Sequence, residues 1–110
     1  RTGLGQQVDM ALFDCMLAAQ ANQNLNYLTT GESPKRMGNA HPSIVPYQVF
    51  PVSDGHIVIA CGNNRQFKNL AQALGRNDWI EDPIFADNMT RISNRTEVIS
   101  QITKELLTEG

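Results

Sequence analysis

The sequence has little net charge and no long apolar run. Its 9 Lys and Arg residues against 11 Asp and Glu residues give a formal charge of −2, so we expect no concentrated basic face for nucleic acid or an anionic membrane. No segment approaches the ~20 apolar residues that a membrane-spanning helix requires, and no secretory leader opens the chain. Both ends are abrupt. We therefore expect one small domain cut from a longer protein, in the cytoplasm or, in a eukaryote, in an organelle matrix.

Residues that bind metals or act as nucleophiles are scarce and scattered. His41, His56, Cys15 and Cys61 form no metal-ligand spacing, so no metal site is predicted. Gly3-Leu4-Gly5 lacks the third glycine of a dinucleotide-binding turn, and no strand precedes it. The aspartates fall at turns and near helix starts, where such residues serve structure. The sequence thus predicts neither a bound cofactor nor a complete active site.

The longest apolar segment lies near the start of the chain. Residues 8–28 contain many Leu, Met and Ala residues without an interrupting Gly or Pro, which favours a helix. Its first half is apolar on nearly every side, so the helix is predicted to be buried between layers. Gly31 and Pro34 are expected to end it.

The clearest local signal is a β-hairpin. Residues 44–50 and 56–61 are strand-like runs around Asp54-Gly55, a turn sequence in which glycine accepts a positive φ. Apolar residues at helical spacing follow over residues 67–74, with Gly75 as a stop, and again over residues 98–106. The predicted class is α+β: a small antiparallel hairpin packed with helices and preceded by a long buried helix.

Residues 31–43 form an aperiodic loop, and loops of this length within a compact domain are usually functional or disordered. Gly38 and Ala40 would allow close approach of a ligand, whereas Asn39 and His41 carry hydrogen-bonding groups and Pro42 stiffens the exit. An ordinary surface loop is the competing interpretation.

Several ordered motifs resemble one protein family. They are Arg1-Thr2-Gly3-Leu4-Gly5-Gln6 with residues 8–14, Pro34-Lys35-Arg36-Met37-Gly38-Asn39-Ala40-His41-Pro42, residues 44–50 with Asp54-Gly55, Gly62-Asn63-Asn64 with Phe67, and Arg91 with Asn94-Arg95. Each motif is weak alone, but their order resembles the family III CoA transferases, the CaiB/BaiF group. The resemblance covers almost the whole chain.

The resemblance implies a two-domain subunit in an interlocked homodimer, with no cofactor and with an acyl-CoA thioester and a carboxylic acid as substrates. Residues 1–30 would then be a turn and helix leading from a missing large domain, and residues 31–110 the small domain. The family's nucleophilic aspartate would lie upstream of this chain, so the chain alone is expected to be inactive.

The resemblance also implies a role for the loop Gly38, Asn39, Ala40, His41 and Pro42, which would cover the substrate and CoA. Formyl-CoA transferase-like members have a glycine run here, whereas this chain has His41-Pro42-Ser43-Ile44. We therefore expect a stiffer wall. A 2-methylacyl-CoA racemase of the same family and a non-catalytic folding or assembly module are the alternatives.

Overall fold

The computed structural model describes residues 2–108. The chain divides into two compact units between Arg36 and Met37. Within residues 2–108, no helix combines the length and apolar character needed to span a membrane.

The first unit contains two helices where one long helix was predicted. Helix α1 spans Leu12–Ala19 and helix α2 spans Ala21–Thr30. The break falls at Gln20, whose backbone leaves the helical region (φ −93°, ψ 16°). The predicted stop at Gly31 is confirmed, because this residue adopts the left-handed conformation (φ 74°) that glycine tolerates.

The prediction that this helical segment is buried is wrong for this chain. Neither α1 nor α2 contains a buried residue, and the side chains of Leu12 and Phe13 are 85% and 77% exposed. The physical reason is size: a unit of two short helices has no second layer in which to bury an apolar surface that faces all directions.

The second unit is built on the predicted hairpin. Strand β1 spans Tyr47–Val52 and strand β2 spans Gly55–Ala60; they pair antiparallel from Tyr47↔Ala60 to Val52↔Gly55. Strand β1 begins directly after Pro46, which cannot donate a ladder hydrogen bond. Phe50 and Ile59 carry the buried face of the hairpin.

Helices cover the hairpin, which confirms the α+β class. Helix α3 spans Asn64–Ala73, and the Asn63 side chain caps it by accepting a hydrogen bond from the Gln66 amide at 3.0 Å. Helix α6 spans Arg95–Thr108 and packs against β1.

Three short elements fill the segment between α3 and α6. They are helix α4 (Asp78–Glu81), a 3-10 helix (Pro83–Phe85) and helix α5 (Asn88–Ser93). They bring Trp79 and Phe85 into the core, where the two rings stack at 5.0 Å between centroids. The other buried apolar residues are Val45, Phe50, Ile59, Cys61, Phe67, Ala71, Leu74, Val98 and Ile102.

Candidate functional site

The predicted loop residues form a compact surface feature that leads into β1. We call residues 37–46 the 37–46 loop. It opens with a turn in which the Ala40 amide donates to the Met37 carbonyl at 3.1 Å. Gly38 sits at φ 60°, and a Cβ built on it would meet no atom within 4 Å. Replacement of Gly38 by another residue would be unfavourable because of the positive φ, and not because of steric crowding.

Asn39 fastens the exposed tip of the loop to the hairpin. Its Oδ1 accepts a hydrogen bond from the Val49 amide at 3.0 Å. Because a backbone amide only donates, the oxygen of the side-chain amide must face Val49, and its Nδ2 group points away from that bond. Asn39 therefore holds the tip through its Oδ1 atom, and its Nδ2 donors take no part in that bond.

His41 is fixed through both its backbone and its ring. Its amide donates to the Tyr47 carbonyl at 2.9 Å, and its ring stacks on the Tyr47 ring with centroids 5.2 Å apart. Nδ1 accepts a hydrogen bond from the Ser43 amide at 3.0 Å. In the neutral ring, the proton must then reside on Nε2.

Three side chains from α5 and α6 hold the other end of the loop, and we call Asn88, Arg91 and Arg95 the loop clamp. Arg95 donates to the carbonyls of His41 (3.0 Å) and Pro42 (2.6 Å). Asn88 donates to the Ser43 carbonyl at 2.9 Å and accepts from the Val45 amide at 3.1 Å. Its amide group thus bonds to the backbone on both sides of Ile44.

Arg91 is the buried member of the clamp, with no exposed surface. It donates to the carbonyls of Val45 (2.8 Å) and Phe85 (2.8 Å) and to Asn64 Oδ1 (3.1 Å), and it lies over the Phe67 ring at 4.5 Å. Burial lowers the pKa of its guanidinium, and attraction to Cys61 and Asp87 opposes that shift. Carbonyl oxygens and a ring face therefore supply most of the compensation that a buried cation requires.

No role was predicted from the sequence for the clamp residues, although Arg91 and Arg95 stand in one of the motifs that resemble the family. Asn88 and Arg91 lie three residues apart on α5, and Arg95, four residues further on, opens α6; in an uninterrupted helix this spacing would place all three on one face. That spacing was the available signal. Asn88 also belongs to an Asn-Met-Thr glycosylation pattern, but the oxygen and the nitrogen of its side-chain amide both bond to the 37–46 loop.

Several carboxylates of the second unit bond to neighbouring protein groups. A hydrogen bond from Arg76 holds the pKa of Asp78 below its ordinary value, and Arg76 also pairs with Glu105. Asp87 caps α5, and the hydrogen bond from the Thr90 amide lowers the pKa of that carboxyl. Among residues 2–108, no group of His, Cys, Asp and Glu side chains is placed to hold a metal ion.

Fold and site together define a small α+β module whose 37–46 loop is bonded to the loop clamp and to β1. The chain belongs to the CoA-transferase family III, whose family model matches residues 1–109.

Named relatives and solved structures agree with this assignment. A succinate–glutarate CoA-transferase of Agrobacterium fabrum is 46% identical over 107 residues, which is 97% of this chain and 27% of the relative. An acetyl-CoA:oxalate CoA-transferase of Acetobacter aceti is 36% identical over 106 residues, or 96% of this chain and 27% of that protein. A CaiB/BaiF family protein from Brucella suis shares 51% identity with a TM-score of 0.67, covering 96% of this chain and 28% of that structure. This chain therefore spans about a quarter of the length of the curated relatives that it matches.

Proposed function

We propose that this chain is the small-domain portion of an enzyme that transfers coenzyme A from an acyl-CoA thioester to a carboxylic acid. The observation that carries the proposal is the match to the CoA-transferase family III over residues 1–109. Relatives that cover 96% or more of the chain are named for transfer between succinate and glutarate or between acetyl-CoA and oxalate. A dicarboxylic acid as donor or acceptor is the corresponding expectation here.

The chemistry is proposed to start from an aspartate outside this chain. Its carboxylate attacks the thioester, forming an acyl-aspartyl anhydride and releasing the CoA thiolate. The thiolate then attacks the aspartyl carbonyl, which gives an aspartyl-CoA thioester and frees the first acid; the acceptor acid repeats these two steps in reverse. Two full-length subunits, each containing this chain, would form an interlocked homodimer. Neither subunit would require a cofactor.

The role proposed for Gly38, Asn39, Ala40, His41 and Pro42 is to cover these intermediates. Anhydrides and thioesters are lost to water, so the site gains from a wall that excludes solvent. The backbone of the 37–46 loop is bonded to Asn88, Arg91 and Arg95, and the loop side chain of Asn39 accepts a hydrogen bond from the Val49 amide of β1. This number of attachments favours a wall that stays in place over a lid that swings.

The test is a transfer assay on the full-length protein that contains this chain. Succinyl-CoA is mixed with glutarate, oxalate or mesaconate, and the new thioester is measured by liquid chromatography. Saturable formation of at least one new thioester is expected. No transfer to any of these acids, together with no binding of CoA thioesters, would refute the proposal.

A second assay distinguishes a CoA transferase from a racemase of the same family. The same protein is incubated with 2-methylacyl-CoA in deuterated water, and incorporation at the α-carbon is followed by mass spectrometry. The transferase proposal predicts no incorporation above the rate without protein. Rapid incorporation without CoA transfer would assign the racemase instead.

A further inference from the structure

Two side chains of the 37–46 loop have their hydrogen-bond acceptors occupied by the protein itself. Oδ1 of Asn39 is bonded to the Val49 amide at 3.0 Å, and Nδ1 of His41 is bonded to the Ser43 amide at 3.0 Å. Backbone amides only donate, so each bond fixes the orientation of its partner. Asn39 is left with its Nδ2 hydrogens, and neutral His41 is left with the hydrogen on Nε2.

Neither remaining donor is satisfied within the part of the chain that the structure describes. Neither Asn39 Nδ2 nor His41 Nε2 donates a hydrogen bond to an acceptor within residues 2–108. Asn39 is exposed and His41 is half-buried, and neither donor is among the buried polar atoms that lack a partner. Both donors are therefore open to a ligand.

Most carbonyl oxygens of the loop from His41 onward accept hydrogen bonds from other parts of the chain. Arg95 binds those of His41 and Pro42, Asn88 binds that of Ser43, and the Cys61 amide binds that of Pro46. The side chains at the tip of the loop thus offer donors, whereas the carbonyl acceptors that follow them along the loop are bonded to the clamp and to the Cys61 amide. A surface with this bias selects ligands that accept hydrogen bonds.

We propose that Asn39 Nδ2 and His41 Nε2 form a binding site for a substrate carboxylate. The inference rests on the proposed function and extends it from a covering loop to a specificity site. A carboxylate is an acceptor-only group with several lone-pair sites, so it can use both donors. Relatives of this chain are named for succinate, glutarate, oxalate and mesaconate, all of which are dicarboxylic acids. The ring stack and the two backbone anchors keep the donors in place before the ligand arrives.

The decisive variant is Asn39→Asp. Aspartate keeps an oxygen for the Val49 amide but replaces the outward donor by a second oxygen with negative charge, so it should repel a carboxylate without releasing the loop. In the full-length enzyme, we expect the KM for the carboxylate-bearing substrate to rise by at least about tenfold, with kcat changed by less than about threefold. Asn69→Asp is the matched control, because it adds the same charge at an exposed position of α3.

Two thioesters locate the carboxylate. If KM rises for succinyl-CoA but not for butyryl-CoA, the site binds the carboxylate of the acyl group; if KM rises for free glutarate with either thioester, it binds the acceptor acid. Both results support the inference. A KM for butyryl-CoA that rises as much as that for succinyl-CoA, without an effect on glutarate, would place the donors at the thioester and overturn it.

His41 is tested by a pair of substitutions that separate the donor from the ring. His41→Phe retains a ring to stack on Tyr47 but has no donor, whereas His41→Gln retains an N–H group at a similar reach. We expect the KM for the carboxylate substrate to rise in the order wild type, His41→Gln, His41→Phe, with His56→Phe as the control on the exposed hairpin.

A binding experiment keeps this inference distinct from the proposed function. Titration calorimetry measures succinate and glutarate binding to the full-length protein whether or not it transfers CoA. Weaker binding to Asn39→Asp than to Asn69→Asp supports the carboxylate site, and equal binding overturns it. Loss of transfer in the wild-type protein would instead count against the proposed function.

Discussion

Replacement of Arg91 by Met should release the inner end of the 37–46 loop. Met fills a similar stem volume but removes the hydrogen bonds to the Val45 and Phe85 carbonyls at 2.8 Å each and the bond to Asn64 Oδ1 at 3.1 Å. Val45 and Phe85 are at most 1% exposed, so water cannot readily replace the lost donors. Each orphaned buried acceptor costs about 1–3 kcal/mol, and relief of the buried charge offsets part of that sum. We expect a net loss of about 3 kcal/mol in local stability.

Hydrogen exchange is the suitable assay because it reports local opening in a protein of several domains. The Val45 amide bonds to Asn88 and the Cys61 amide bonds to the Pro46 carbonyl, so both lie beside the released segment. A loss of about 3 kcal/mol corresponds to roughly 150-fold faster exchange of these amides. Arg65→Met, at an exposed site of α3, should change exchange by no more than about twofold.

Exchange of these amides at wild-type rates in Arg91→Met would contradict the reasoning. It would mean that the two carbonyls find other donors and that the buried cation does not hold the loop. In Arg91→Lys, the exchange rates of these amides should lie between those of the wild type and those of Arg91→Met. One ammonium group cannot reproduce the planar guanidinium, which reaches separate acceptors.

Other parts of the structure give three further predictions. Arg95→Met should raise the ratio of thioester hydrolysis to CoA transfer in the full-length enzyme, because the carbonyls of His41 and Pro42 lose their donor; an unchanged ratio would show that Arg95 does not help to exclude water. Asn63→Ala should lower the free energy of unfolding by about 1 kcal/mol in urea titrations through loss of the α3 cap, and a change below about 0.3 kcal/mol would indicate that the cap is dispensable. Burial raises the pKa of the Cys61 thiol, so unfolding should release its proton once the pH exceeds the ordinary thiol value of about 8.5. Stability should therefore fall between that pH and the raised native pKa, and Cys61→Ala should reduce this loss in pH-dependent urea titrations.

The hairpin and α3 could be predicted because their signals are local. Asp54-Gly55 specifies the turn, and Asn63 and Gly75 mark the two ends of the following helix. These preferences act within a few residues, and the tertiary structure agrees with them.

The burial of the first helical segment could not be read from its composition. Apolar side chains such as Leu12, Phe13 and Leu28 indicate that a surface favours burial, but not whether the covering layer belongs to the same chain. Here the chain contains only a part of the length of its relatives.

The candidate site was predicted only in part. The lack of periodicity and the residues Gly38, Asn39 and His41 indicated the segment in which the candidate site lies, but not the way in which that segment is held. The clamp depends on contacts between residues more than 40 positions apart, such as Asn88 with Val45 and Arg95 with His41. No local propensity encodes such pairs, and a polar face on a helix is typically interpreted as solvated.

The most direct test of the account is a pair of crystal structures of the full-length protein, one free and one with succinyl-CoA bound. The account predicts that residues 38–43 occupy the same position within about 1 Å in both structures, and that Asn39 Nδ2 or His41 Nε2 lies within about 3 Å of a substrate carboxylate oxygen. Displacement of the loop by several ångströms, or a bound substrate that does not touch it, would contradict the account.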